Sequence, residues 1–138
     1  MDTVETVKLE QLKQRIEAND ADLRGSAFTN VNLSDSIFDD VSLAGATIHN
    51  ANLSRQRISD ADLRGSAFTN VNLSDSIFDD VNLAGATIHN ANLSRLRISD
   101  ADLRGASIVE SQTDGMTING IAVAEMLSAY RAAHAKPN

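Results

Sequence analysis

The sequence predicts an all-β solenoid, a chain wound into about five coils of four sides each. Two regularities predict it. Residues 21–110 divide into eighteen blocks of five, and the third residue of every block, here named the centre, is Leu, Ile or Phe. Glycine recurs every twenty residues, so four blocks complete one coil. These glycines are Gly25, Gly45, Gly65, Gly85 and Gly105.

The five-residue period favours a chain that turns a corner after every block. An α-helix is excluded because a period of five moves around a 3.6-residue turn and leaves no apolar stripe. A flat strand is excluded because five is odd, so successive centres would point to opposite faces. A corner keeps each centre inside, together with the residue two positions before it. That residue is Ala, Ser or Val except at Gln56 and Leu96, where we expect local crowding.

Corner residues repeat in columns along the predicted rod. We expect the glycine column to have positive φ, and the column of Asn30, Asn50, Asn70 and Asn90 to tolerate that conformation. Aspartates occupy a third column, reinforced by Asp39 and Asp79, and form the candidate acidic stripe for a protein partner. This stripe consists of Asp40, Asp60, Asp80 and Asp100. On another side charges alternate in sign, so neighbouring coils should form ion pairs. These residues are Asp35, Arg55, Asp75 and Arg95.

Residues 21–60 and 61–100 are identical except for Ser42 against Asn82 and Gln56 against Leu96. Centres on two sides alternate between Phe and Ile from coil to coil, so the packing unit is two coils. A forty-residue duplication preserves this alternation. We hypothesise that a 98-residue chain was lengthened by an engineered, in-register duplication, with a natural duplication as the alternative.

The blocks ADLRG, VNLSD and ANLSR resemble the pentapeptide-repeat family, whose loose motif is A(D/N)LXX. The resemblance covers about residues 21–110 and extends towards 120. It implies a right-handed, four-sided β-helix with the centre and the residue two before it inside. It also implies that the C-terminal end can form a dimer, as in several members. Some members resemble duplex DNA in width and charge and inhibit DNA gyrase.

The two ends of the chain depart from the repeat, which divides it into 1–20 (an N-terminal cap), 21–120 (the β-helix) and 121–138 (a C-terminal helix and tail). The spacing of apolar residues predicts a capping helix within 4–17, and a strand-like start at VETVKL is the alternative. A second helix is predicted from about Ala122 to His134. Its apolar face either caps the last coil or forms a dimer. That face consists of Val123, Met126, Leu127 and Tyr130.

Composition narrows the function classes. The chain has no cysteine and a formal net charge of −7, which argues against binding nucleic acid through its phosphates. The N-terminus lacks the apolar run of a signal peptide, so we expect a cytoplasmic protein without a membrane segment. No pattern indicates a catalytic centre, a metal site or a cofactor. The sequence therefore predicts a non-enzymatic structural or scaffold protein, with a DNA-mimicking protein that binds gyrase or topoisomerase as the alternative.

Overall fold

The computed structural model describes residues 8–10 and 17–135. In these residues strands follow one another at ten-residue intervals, and one helix follows the last strand. The elements are β1 (Lys8–Glu10), β2 (Glu17–Asp22), β3 (Ala27–Asn32), β4 (Ile37–Ser42), β5 (Thr47–Asn52), β6 (Arg57–Asp62), β7 (Ala67–Asn72), β8 (Ile77–Asn82), β9 (Thr87–His89), β10 (Arg97–Ser99), β11 (Ser107–Val109), β12 (Thr117–Ile118), β13 (Ile121–Ala122) and α1 (Val123–Ala133).

The strands form two sheets that run along the rod. Odd-numbered strands from β1 to β11 form one sheet, and even-numbered strands from β2 to β12 form the other, which ends in β13. Neighbouring strands up to β12 are parallel. They are offset by twenty residues, except β1 with β3 at nineteen, so Phe28 lies beside Ile48 and Ile48 beside Phe68. The predicted solenoid of about five coils with four blocks per coil is confirmed.

Corners depend on a left-handed backbone at the last residue of each block. Gly25 has φ of 69°, Asn30 55°, Asp35 63° and Asp40 55°, and the same sign recurs in each later coil. Two kinds of corner alternate. At Gly25 and Asp35 the chain makes a tight turn, closed in the first case by a 3.2 Å hydrogen bond from the Ser26 amide to the Leu23 carbonyl. At Asn30 and Asp40 a single strand bends without interruption. The positive φ predicted for the glycine and asparagine columns is confirmed.

The inward residues form one continuous apolar core. Every centre from Phe28 to Ile98 is buried, including Leu43 and Leu83 at 2% and 1% exposure. At the C-terminal end Leu103 is half-buried and Ile108 is 40% exposed. Burial of an apolar side chain of this size stabilises the folded state by about 1.5–3 kcal/mol. The core is therefore complete in the middle of the rod and open at its C-terminal end.

Gln56 and Leu96 are both buried, but the expected crowding is not found at Gln56. The two residues belong to one inward column, in which Ser36 and Ser76 lie on either side of Gln56: Ser36, Gln56, Ser76, Leu96 and Met116. Gln56 lines a cavity of about 10 Å³ among apolar side chains. Its side-chain Oε1 is buried without a hydrogen-bond partner. The serines on either side therefore provide space for the large residue, and the amide oxygen lacks a donor.

The N-terminal helix predicted within 4–17 is wrong where the structure describes that range. Lys8–Glu10 is a strand that pairs with β3, and Glu17 begins β2, which pairs with β4. The alternative, a strand-like start at VETVKL, agrees with the structure at Lys8 and Leu9. The remainder of the range, 4–7 and 11–16, lies outside the described residues. Sheet pairing therefore begins before residue 21.

At the C-terminus the chain reverses direction before the helix. β12 and β13 pair antiparallel across a two-residue turn formed by Asn119 (φ 50°) and Gly120 (φ 81°). This conformation is typical of an Asn-Gly hairpin. α1 then runs over Val123–Ala133, within one residue of the predicted bounds at each end. The hairpin covers the last edge of the even-numbered sheet, whereas β11 remains an uncovered edge of the other sheet.

Deleting residues 61–100 should leave a folded rod that is two coils shorter. All corner columns and the Phe/Ile alternation stay in register, so we expect cooperative unfolding and a β-type circular dichroism spectrum. The control deletes only residues 61–65. This deletion keeps the five-residue period but shifts every later block by one side of the coil. Tight turns then lie next to bending strands of the neighbouring coil. We expect a lower Tm for this control than for the 98-residue variant, and an equal or higher Tm would contradict the role of four-block register.

Replacing Gln56 with Leu, the residue found in the equivalent position of the second copy, should stabilise the protein. A buried polar atom without a partner costs about 1–3 kcal/mol, and the leucine side chain removes it. The reverse change, Leu96→Gln, is the matched control and should destabilise by a similar amount. Urea denaturation of both variants measures the two free energies. Equal stability of Gln56→Leu and the parent protein would show that the amide oxygen is satisfied in solution.

Candidate functional site

A ladder of aspartates along one corner is the most strongly charged surface of the described residues. Asp20 joins the four aspartates predicted from the sequence, so that one carboxylate projects from each coil. These residues, here named the aspartate ladder, are Asp20, Asp40, Asp60, Asp80 and Asp100. They line an open groove with a volume of about 900 Å³. The groove is wide and open to solvent, which suits a macromolecular surface better than a small molecule.

Like charges in the ladder interact directly. A hydrogen bond to Asp20 and the charge of that residue raise the pKa of Asp40. A hydrogen bond to Asp80, together with partial desolvation and the neighbouring charge, raises the pKa of Asp60. A neighbouring carboxylate disfavours the ionised form of a carboxyl group. The ladder therefore opposes folding at neutral pH and attracts cations or cationic partners.

Arginines neutralise the next column of the same groove. Arg24 pairs with Asp22 at 2.7 Å, and Arg104 pairs with Asp102 at 2.6 Å, each within a single coil. A hydrogen bond from Arg104 lowers the pKa of Asp102 to about 2. Arg64 and Asp62 form the same pair at 2.7 Å. The groove thus has one uncompensated acidic wall and one wall of neutral ion pairs.

The corner that alternates in sign forms the predicted ion pairs. Arg55 Nε lies 3.0 Å from Asp35, and Arg95 Nε lies 2.7 Å from Asp75, in each case one coil towards the N-terminus. Both are two-point contacts through Nε and Nη2. The hydrogen bond from Arg95 lowers the pKa of Asp75. This corner is therefore close to neutral, unlike the aspartate ladder.

The face predicted on α1 is divided between the core and solvent. Val123 packs against the core and Met126 is half-buried, whereas Leu127 is 42% and Tyr130 62% exposed. Other large apolar side chains are exposed at the same end of the rod, on β11 and β13. Together they form what we name the C-terminal apolar surface: Ile108, Val109, Ile121, Leu127 and Tyr130. The helix therefore covers the last coil only through its first turns.

Metal-binding groups do not converge in the part of the chain that the structure describes. Within residues 17–135 no three His, Asp or Glu side chains are arranged to hold a metal ion. His89 Nε2 lies 3.0 Å from Glu110 on the exposed surface, and His49 lies two coils away in the same column. No described helix is long and apolar enough to cross a membrane.

Two features of these surfaces were not predicted from the sequence. Asp20 was assigned to the N-terminal cap, although its twenty-residue offset from Asp40 places it in the ladder. The Asn119-Gly120 hairpin is hidden by the five-residue period, because residues 116–120 still place an apolar residue, Ile118, at the centre of a block. Asn-Gly between Ile118 and Ile121 is a strong hairpin signal and would have located it.

Comparison with known proteins agrees with this geometry. A family profile described as the pentapeptide repeat region matches residues 14–88. The chain belongs to the pentapeptide-repeat family. A search of curated proteins gives no match.

Several solved structures resemble this pentapeptide-repeat rod. One is HetL, from the cyanobacterium Nostoc sp. strain PCC 7120, with 20% identity and a TM-score of 0.48, covering 82% of this chain and 60% of HetL. Another comes from the Arabidopsis thaliana thylakoid lumen, with 22% identity and a TM-score of 0.43, covering 86% of this chain and 75% of that one. A third is QnrB1, described as a plasmid-mediated fluoroquinolone resistance protein, with 15% identity and a TM-score of 0.44, covering 92% and 72%. These similarities concern the fold and identify no partner.

Two substitutions at left-handed corners of the rod should have opposite effects on stability at pH 7. Asp60→Asn removes a repelling charge from the ladder and should raise Tm, whereas Asp75→Asn breaks the pair with Arg95 and should lower it. Asparagine tolerates positive φ, so neither change strains the backbone.

The dependence of Tm on pH distinguishes the charge repulsion at Asp60 from the loss of the ion pair at Asp75. The pKa of Asp60 is raised in the folded state, so the gain should vanish as pH falls through that raised value, above the ordinary carboxyl pKa of about 3.9. The pKa of Asp75 is lowered, so the loss should persist until pH falls below about 3.9. Thermal melts from pH 7 to pH 3 measure both. A Tm change of the same sign in both variants would contradict this assignment of charges.

Proposed function

We propose that this pentapeptide-repeat protein is a non-enzymatic structural rod that presents surfaces at fixed spacing and joins a second copy end to end. The observation that carries the proposal is the filled core, because the side chains that would otherwise form a cleft are packed inside from Phe28 to Ile98. The enclosed space beside Gln56 measures only about 10 Å³, too little for a substrate. The larger grooves are open surfaces.

The C-terminal apolar surface supports the end-to-end contact. Tyr130 and Ile121 are 62% and 52% exposed, and β11 offers an unpaired strand edge in the other sheet at the same end of the rod. An exposed apolar edge strand is prone to pair with another chain, and covering it in a closed dimer removes that hazard. An isologous contact through this end would double the length of the rod without changing its sides.

Tyr130→Asp should convert the dimer into a monomer. A charge in the centre of an apolar contact has to be desolvated without a partner, which opposes association strongly. The control is Ser128→Asp, which adds the same charge to α1 outside its apolar face. Light scattering coupled to size exclusion measures the mass of each variant. A monomeric parent protein, or equal masses for both variants, would overturn the end-to-end contact.

The absence of enzymatic activity is tested separately. The parent protein should show no turnover of model ester, phosphomonoester or glycoside substrates beyond that of a heat-unfolded sample. Turnover that a single substitution abolishes while the protein stays folded would contradict the structural role.

A second candidate is a protein that imitates DNA and binds gyrase or a related topoisomerase through the aspartate ladder. The ladder and its open groove favour it. However, one carboxylate per coil is one charge per about 4.8 Å, against one per about 1.7 Å in duplex DNA. We therefore rank it second. A gyrase supercoiling assay without inhibition at micromolar protein would remove it, and inhibition lost in Asp40→Asn/Asp60→Asn/Asp80→Asn would place it first.

A further inference from the structure

The face between the two charged corners carries arginines that the ion pairs do not engage. In the outward column of the even-numbered sheet, Ile37 lies beside Arg57, Arg57 beside Ile77, and Ile77 beside Arg97. Within residues 17–135, Arg57 and Arg97 form neither an ion pair nor a hydrogen bond through their side chains. Both are exposed, and the two isoleucines of the column, Ile37 and Ile77, are half-buried. We name this column the arginine–isoleucine stripe.

Each free arginine belongs to a groove, and the two grooves are equivalent. One is lined by Arg57, Ile37 and the Arg55–Asp35 pair, and has a volume of about 610 Å³. The other is lined by Arg97, Ile77 and the Arg95–Asp75 pair, and has a volume of about 400 Å³. Each groove therefore combines an available guanidinium, an apolar floor and a neutral wall. The duplication places the two guanidiniums two coils apart, about 9.6 Å along the rod.

Other arginines of the rod do not offer this combination. Arg24 and Arg64 are also two coils apart, but each is held by an aspartate two residues earlier in the chain. Two acidic residues follow the isoleucines of the stripe by two positions. Asp39 accepts a 2.9 Å hydrogen bond from Ser59, and Asp79 lies beside Ser99. On the opposite side of the corner the groove is lined by Ser34, which is uncharged. A ligand is thus favoured along this corner, away from the aspartate ladder.

The distance of about 9.6 Å between Arg57 and Arg97 along the rod can be compared with the repeat distances of regular peptide conformations. Polyproline II has three residues per turn and rises about 3.1 Å per residue, so side chains three apart lie on one face at about 9.3 Å. In a β-strand, side chains on one face are about 6.7 Å apart. In an α-helix, residues seven apart are separated by about 10.5 Å. Of the three, polyproline II matches the distance between Arg57 and Arg97 most closely.

We propose that the arginine–isoleucine stripe binds an acidic, proline-rich segment of a partner protein in the polyproline II conformation. Two of its carboxylates, three residues apart, accept hydrogen bonds from Arg57 and Arg97, which is the geometry that guanidinium groups favour. The proline rings between them pack on Ile77. Binding at both arginines is bivalent, so loss of either one removes most of the affinity.

The test uses the full chain and two synthetic peptides of identical composition. One repeats Glu-Pro-Pro four times, and the other contains the same residues with the glutamates in adjacent pairs. At low salt the regular peptide should bind at least about tenfold more tightly by calorimetry, because only its carboxylates match both guanidiniums. Equal affinities for the two peptides, or no binding of either at millimolar concentration, would overturn the proposal.

Two double variants of equal charge localise the site. Arg57→Gln/Arg97→Gln should abolish the preference for the regular peptide, whereas Arg24→Gln/Arg64→Gln, with the same loss of charge at the same spacing, should retain it. Both substitute exposed side chains, and thermal melts verify that the variants fold. A preference lost equally in both variants would show that net charge causes it. Inorganic phosphate that displaces the regular peptide at equimolar concentration would show that the stripe binds simple anions, and would also overturn the proposal.

Discussion

Each coil depends on a left-handed backbone at the last residue of every block. For a residue with a Cβ this conformation costs roughly 1–2 kcal/mol, and glycine, asparagine and aspartate adopt it most readily. The rod meets the requirement with columns of Gly25, Asn30 and Asp40 and their equivalents. The aspartate ladder therefore has a structural cause as well as an electrostatic consequence. Arg55 and Arg95 have the same positive φ without that preference, and both form two-point contacts with an aspartate of the preceding coil.

Because the coils stack, a corner residue lies next to the residue twenty positions away. In some columns the two side chains are identical, and in others their type alternates. In the asparagine column the amides form a chain of hydrogen bonds, with Asn50 donating to Asn30 at 3.2 Å and Asn90 to Asn70 at 2.6 Å. In the alternating column arginine and aspartate pair. In the aspartate ladder carboxylates lie next to one another. The raised pKa of Asp60 shows that ionisation of its carboxyl group is disfavoured there. The same stacking rule thus stabilises two corners and opposes folding at a third.

The ends of the rod present a different physical problem, because a solenoid has no internal means of closing its last strand. The even-numbered sheet ends in an antiparallel strand, β13, which reverses the chain and leads into α1. The odd-numbered sheet ends at β11, where Ile108 and Val109 remain 40% and 46% exposed. The uncovered edge and the apolar residues of α1 are the features on which the proposed end-to-end contact rests.

The sequence by itself determined the solenoid, its four sides, the inward residues and the C-terminal helix. For the rod it did so because the five-residue and twenty-residue periods each have one geometric solution, which repeats without reference to distant residues. For the helix it did so because apolar residues recur at helical spacing after the repeat ends. Tertiary structure decided the features that the five-residue and twenty-residue periods do not determine. Lys8–Glu10 has helical spacing in its neighbourhood yet forms a strand, because β3 offers an unpaired edge. Gln56 fits without crowding because Ser36 and Ser76 flank it in the stack. Arg55 and Arg95 each reach an aspartate of the preceding coil, and the distance between coils is set only when the chain folds.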